Sequence, residues 1–124
     1  MSDSIPADQQ ELKLREIVER SSETVFATDR EGQFSYVNPA ARKLTGFSPQ
    51  ELLGRALIDL VVPDWRDRVS QFHSMKERRE ERDATMEYPI ITRHGVLKWV
   101  EETSHWLTKE GQFDGLQGVL REVT

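Results

Sequence analysis

With 124 residues, 36% of them hydrophobic and 31% charged, the chain is long enough for one modest core and a well-solvated surface. A net charge of −5 argues against a nucleic-acid partner, which needs a basic stripe. The absence of cysteine excludes disulfides, thiolate metal sites and a cysteine nucleophile. No apolar run approaches the roughly 18 residues of a membrane span and no secretory signal opens the sequence, so a cytoplasmic domain without direct membrane insertion is expected.

Residues 1–10 are polar and include Pro6, which predicts a flexible tail. From Glu11 to Ser21 the pattern turns helical, with Leu14, Ile17 and Val18 at i, i+3 and i+4 and Leu12 close by. So narrow a stripe can pack on the domain's own sheet or on a second copy, and these three residues are candidate dimer contacts. Residues 23–28 read as a strand, with Val25 and Ala27 on one face and Thr24, Phe26 and Thr28 on the other. Asp29-Arg30-Glu31-Gly32 closes a hairpin onto residues 33–37.

Two short helices follow. Asn38 is expected to cap the first through its side-chain oxygen, with Pro39 at the first helical position and Gly46 as the stop. Ser48 and Glu51 stand at capping-box spacing around Pro49, and Gly54 is the next stop. Helices this short do not persist alone and must lean on a sheet. Leu57, Ile58, Leu60, Val61 and Val62 form an apolar connector to Pro63. Asp64 is expected to cap a longer helix carrying Trp65, Val69 and Phe72 on one face, with Met75 at its edge. The charge run over residues 76–83 reads as a solvated helix end and loop.

The remainder reads as three strands. Residues 84–92 place Met86, Tyr88 and Ile90 on one face, and Pro89 marks an edge strand or a bulge. Residues 96–108 carry Trp99, Val100 and Trp106. Residues 113–123 carry Gly115 and Gly118, and Gly118 suggests close approach of a bulky neighbour such as Trp99 or Trp106. Two strands, then helices, then three strands is an α+β arrangement. His73, His94 and His105 have no metal-ligand spacing, and no nucleophile elbow or phosphate loop is present, so no catalytic activity is expected.

Asn38-Pro39-Ala40-Ala41, Leu44-Thr45-Gly46-Phe47 and Glu51-Leu52-Leu53-Gly54 resemble the N-terminal core of PAS sensor domains. Gly95-Val-Leu-Lys-Trp-Val100 and Gly118-Val-Leu-Arg-Glu-Val-Thr124 resemble that family's C-terminal PAC motif. The resemblance covers about residues 12–124. It implies one PAS domain over residues 11–124, with a five-stranded antiparallel sheet in the order 2-1-5-4-3 and helices packed over its concave face.

In function the resemblance implies a sensory or regulatory module of a larger signalling protein, such as the sensor histidine kinase of a two-component system or a cyclic-dinucleotide enzyme. A ligand pocket is expected between sheet and helices. Strand parity and helix phase nominate Tyr36, Leu44, Phe47, Trp65, Val69, Phe72, Met86, Tyr88, Trp99 and Leu116 as its lining. The alternative is that these side chains simply fill the core of a ligandless dimerisation or docking module. Without cysteine, the family's flavin–cysteine photochemistry is excluded. His73 can be a peripheral histidine, a polar group of the pocket, or an iron ligand. In haem-binding relatives the ligand position falls nearer Val69 or Ser70, which argues against haem here. Glu122-Val123-Thr124 stand where the family has Asp-Ile-Thr before its output helix, which predicts a signal exit toward a covalently linked output domain.

Overall fold

The computed structural model describes residues 7–75 and 83–123, with side chains from Lys13 onward. Strands β1 (Thr24–Thr28), β2 (Phe34–Val37), β3 (Ala84–Ile91), β4 (Leu97–Lys109) and β5 (Gln112–Glu122) pair antiparallel in the spatial order β2-β1-β5-β4-β3. Helices α2 (Ala41–Thr45), α3 (Pro49–Leu52) and α4 (Arg66–Ser74) lie over one face. Phe26 and Phe34 from the first hairpin, Leu52, Leu57, Leu60 and Val69 from the helical layer, and Tyr88, Val100, Leu116 and Leu120 from the long strands close one core between the layers.

Helix α1 (Ala7–Arg20) begins at Ala7 rather than Glu11, so residues 7–10 of the expected tail are helical. Residues 1–6, the charge run at residues 76–82 and Thr124 lie outside the described residues. Leu14 is 63% exposed and Ile17 67% exposed, so neither packs on the domain's own sheet; Val18 is half-buried.

The local stop and start signals act as read, with two exceptions. Gly46 takes φ 80° and returns its N–H to the Arg42 carbonyl, which ends α2. At α3 the Ser48 side chain accepts from the Glu51 amide while the Glu51 carboxylate accepts from the Ser48 amide. Asn38, by contrast, does not cap α2. Its Oδ1 accepts from Val25 N at 2.9 Å, and its Nδ2 donates to the Val18 and Glu23 carbonyls at 2.8 and 2.9 Å. The side chain is fully buried, and it ties the end of α1 to the start of β1. Asp64 does not cap α4 either, because Pro63–Trp65 forms a 3-10 turn that places the exposed Asp64 inside it and Trp65 at the cap position.

The connector between α3 and α4 crosses from one sheet edge to the other. At the β2 edge, Phe34 N donates to Arg55 O, Gly54 N donates to Phe34 O, and Gln33 bridges to Ala56. At the β3 edge, Val62 N donates to Pro89 O and Val61 bridges to Ile90. Pro89 thus lies on an edge strand, as its missing donor requires. The connector thus pairs with one end of each edge strand, which shortens the free templates for edge-to-edge pairing.

Gly118 lies opposite Ser104 of β4 and Phe26 of β1. A Cβ there would stand 2.3 Å from the Thr103 carbonyl oxygen and 2.6 Å from Ser104 Cβ. The close neighbour is therefore the β4 backbone and Ser104, not a tryptophan.

Candidate functional site

Alternation along β4 turns Val100, Glu102, Ser104 and Trp106 toward the helices and leaves Trp99, Glu101 and Thr103 on the outer face. The inner face of the central sheet therefore carries a carboxylate. Glu102 is fully buried, and its neighbours supply donors to both oxygens. Tyr88 of β3 donates its hydroxyl to Oε1 at 2.7 Å. Ser104, two residues along β4, donates to Oε2 at 2.5 Å. His73, from the last turn of α4, places Nε2 2.9 Å from each oxygen. The fully buried Val69 and the buried Phe72 hold that helix against the sheet. Trp106 adds a bond from Nε1 to the His73 carbonyl at 2.8 Å, so one residue fastens α4 to β4 through both its ring and its backbone.

The electrostatics follow from this geometry. Burial pushes the Glu102 carboxyl up, but the hydrogen bond and charge of His73, with the bonds from Ser104 and Tyr88, overcome it and leave the group below its ordinary value. Tyr88 moves the other way. Burial, then the charge of Glu102 and the bond to it, push its phenol well above the ordinary value. The arrangement is an ionised carboxylate held by three donors, with His73 as the basic group among them.

A cavity of about 420 Å3 opens on the other side of His73. Leu57 and Ile58 line it from the connector and Ser70 and His73 from α4, with Thr28 and Leu116 contributed by the sheet. Trp106 and Phe113 stack edge to face at 4.9 Å along it, and Arg30 and Glu31 also reach it from the β1–β2 turn. A second recess of about 330 Å3 lies at the C-terminal end of β5, beside Leu44, Lys98 and Leu120. There Lys98 donates to the Lys43 carbonyl at 3.3 Å and pairs with Glu122 at 3.4 Å, while Val123 N donates to Trp99 O at 2.8 Å.

Of the ten nominated residues, Leu116 alone lines the larger cavity. Leu44, Val69, Phe72 and Tyr88 are buried in the core, and Met86, Phe47 and Trp65 are partly buried against it. Arg55 stacks over the Phe47 ring at 4.9 Å. Tyr36 is a correction. The β1–β2 register slips between Ala27 and Thr28, so Ser35 is bulged out and Tyr36 lies opposite Ala27 on the outer face. Its hydroxyl donates to Glu19 of α1 at 2.8 Å. Trp99 is a second correction. It is 41% exposed on the outer face and meets Trp65 edge to face at 5.3 Å. His73 is a polar group of the cavity wall, its side chain 17% exposed and its Nε2 engaged by Glu102. Residue reading missed Glu102 and Ser104. The available signal was their shared phase with Val100 and Trp106 along β4.

Among the described residues no group of three or more His, Asp or Glu is placed to hold a metal, and no helix is long and apolar enough to cross a membrane.

The sequence model of the PAS fold matches residues 12–123. The chain belongs to the PAS family. Sporulation kinase C of Bacillus subtilis (strain 168) is 24% identical over 109 residues, which is 87% of this chain and 25% of that protein. This PAS domain thus spans about a quarter of the length of that curated relative. Among solved structures, the PAS domain of a protein from Colwellia psychrerythraea superposes with a TM-score of 0.81 at 22% identity, covering 92% of this chain and 98% of the other. The N-terminal domain of a diguanylate cyclase with PAS/PAC sensor from Marinobacter aquaeolei gives 0.67 at 17% identity, covering 81% and 94%. PAS domains similar to this one therefore occur within larger kinase and cyclase proteins.

Proposed function

We propose that this PAS domain is the sensory or regulatory module of a larger cytoplasmic signal-transduction protein of the sensor histidine kinase or cyclic-dinucleotide type, and that it reads a small molecule held between α4 and the sheet. The observation that carries this reading is the cavity of about 420 Å3 beside the buried His73–Glu102 pair, since specific sites combine apolar walls with a few placed polar groups. An occupant acts by preferring one of two arrangements of α4 on β4. From β4 the change reaches Glu122 and Val123 through Lys98 and Trp99. Native mass spectrometry of the domain, purified without denaturant, is expected to show a bound species that is lost when Ile58→Trp fills the cavity. A bare protein mass, with no thermal shift across a metabolite library, refutes the reading.

The exposure of Leu14 and Ile17 favours a second role, homodimerisation through α1, which serves equally a ligandless docking module. The double variant Leu14→Asp, Ile17→Asp is expected to sediment as a monomer where the parent chain sediments as a dimer. Equal mass before and after removes α1 from the interface.

A further inference from the structure

Charge is unevenly distributed over this domain. Residues 32–58 and 88–100 carry Arg42, Lys43, Arg55, Arg93 and Lys98 against the single carboxylate of Glu51, although the chain as a whole has a net charge of −5. The fold brings the two segments together. Arg93 N donates to the Thr45 carbonyl at 2.8 Å, and Lys98 Nζ donates to the Lys43 carbonyl at 3.3 Å. At their junction the half-buried Phe47 ring meets two guanidinium groups, with Arg55 Cζ 4.9 Å and Arg93 Cζ 5.9 Å from its centroid. Leu53, two residues before Arg55, is 47% exposed.

Two of these cations are already answered. Arg93 holds the Glu51 carboxylate, and Lys98 pairs with Glu122 at 3.4 Å. Arg42, Lys43 and Arg55 are exposed and have no carboxylate partner among the described residues. The Arg93–Glu51 pair shows what this corner accepts, since a guanidinium fork matches a carboxylate. Reach decides the size of the partner. Exposed charges are screened over about 8 Å at physiological ionic strength, so a short segment feels this corner alone. A long nucleic acid or an anionic bilayer extends past the corner and meets the acidic remainder of the surface. We propose that the corner docks a short acidic segment of a partner protein. Its carboxylates pair with Arg42, Lys43 and Arg55, and an apolar side chain among them rests against Phe47 and Leu53.

The probe is a terminally blocked hexapeptide, Glu-Glu-Leu-Phe-Glu-Glu, with Gln-Gln-Leu-Phe-Gln-Gln as its neutral match, each titrated into 15N-labelled domain and followed by NMR. The acidic peptide is expected to shift the amides of Gly46, Phe47, Gly54, Arg55 and Arg93. It should bind about tenfold tighter than the neutral one, the combined worth of several surface ion pairs, and weaken as salt is added. Lys43→Glu with Arg55→Glu should abolish those shifts, whereas Lys109→Glu, at the far end of β4, should leave them. Where the double reversal does not fold, the milder Arg42→Gln with Lys43→Gln must still weaken the acidic peptide and leave the neutral one unchanged. Equal binding of the two peptides, or shifts confined to other surfaces, overturns the proposal. Tighter binding by a short single-stranded DNA or by phosphatidylserine vesicles also overturns it and reassigns the corner to a nucleic acid or a membrane. Movement of the same amides on raising the protein concentration alone reassigns it to a second copy of the chain, with the same consequence.

Discussion

Replacing Glu102 by alanine withdraws the one acceptor that His73, Tyr88 and Ser104 share. The geometry gives the size of the effect. Nε2 of His73 at 2.9 Å, the Tyr88 hydroxyl at 2.7 Å and the Ser104 hydroxyl at 2.5 Å would all lose their acceptor, and Tyr88 and Ser104 are fully buried away from water. Leaving a buried hydrogen-bonding group unpaired costs about 1–3 kcal/mol, and three donors lose their acceptor at once, so a loss of about 3–5 kcal/mol is expected. Tyr88→Phe removes one bond to the charged acceptor and leaves the pair intact, so about 1.5–3 kcal/mol is expected. Urea denaturation measures both, and the order Glu102→Ala above Tyr88→Phe is required. Acidification adds an independent check through Glu102→Gln. The folded carboxyl lies below its ordinary value of 4.5, so its contribution is complete above that value and is lost as the pH falls through the folded value. The stability difference between the parent chain and Glu102→Gln must therefore shrink on acidification. A cost under about 1 kcal/mol for Glu102→Ala, or a difference that widens in acid, refutes the reasoning.

Two further outcomes follow from the same coordinates. Gly118→Ala sets a methyl against the Thr103 carbonyl and Ser104, which are backbone and short side chain rather than a flexible tip, so a loss of about 1–3 kcal/mol is expected in thermal or urea unfolding. A neutral result would mean that β4 and β5 separate freely there. The chain's two tyrosines should both titrate late in a phenolate absorbance titration. Burial, then the hydrogen bond and charge of Glu19, push Tyr36 up to about 12, and Tyr88 ionises above its ordinary value or on unfolding. Their contribution to stability is complete below 10.0 and is lost as the pH rises through the folded values. A tyrosine titrating at 10.0 contradicts the bonds to Glu19 or Glu102.

What could be read from the sequence were the features whose partners lie within a few residues. The Ser48–Glu51 box, the Gly46 stop and the edge position of Pro89 depend on local geometry, and each stands where it was expected. The strand order came from the family resemblance, because no local signal distinguishes which strands become neighbours. Asn38 was misread because its partners Val18, Glu23 and Val25 approach only when α1 and β1 fold back onto it. Tyr36 was misplaced by a single bulged residue, which reverses every later side chain of the strand. Trp99 was misplaced for a different reason. Hydrophobicity assigns a tryptophan inward and a glutamate outward, whereas β4 does the reverse, and only the distant His73 and Tyr88 make a buried Glu102 tolerable.

The connector that runs beneath the sheet from Gly54 to Val62 is anchored at both rims, like a string across a bow. Of the residues that border the larger cavity, Ala56 and Leu57 belong to the anchorage at the β2 rim, and Ile58 is the first residue beyond it. A molecule wedged against them would bear directly on the β2 rim, while the β3 rim lies further along the same segment. The outermost strands, at opposite extremes of the sheet, are thus held by one continuous segment of chain.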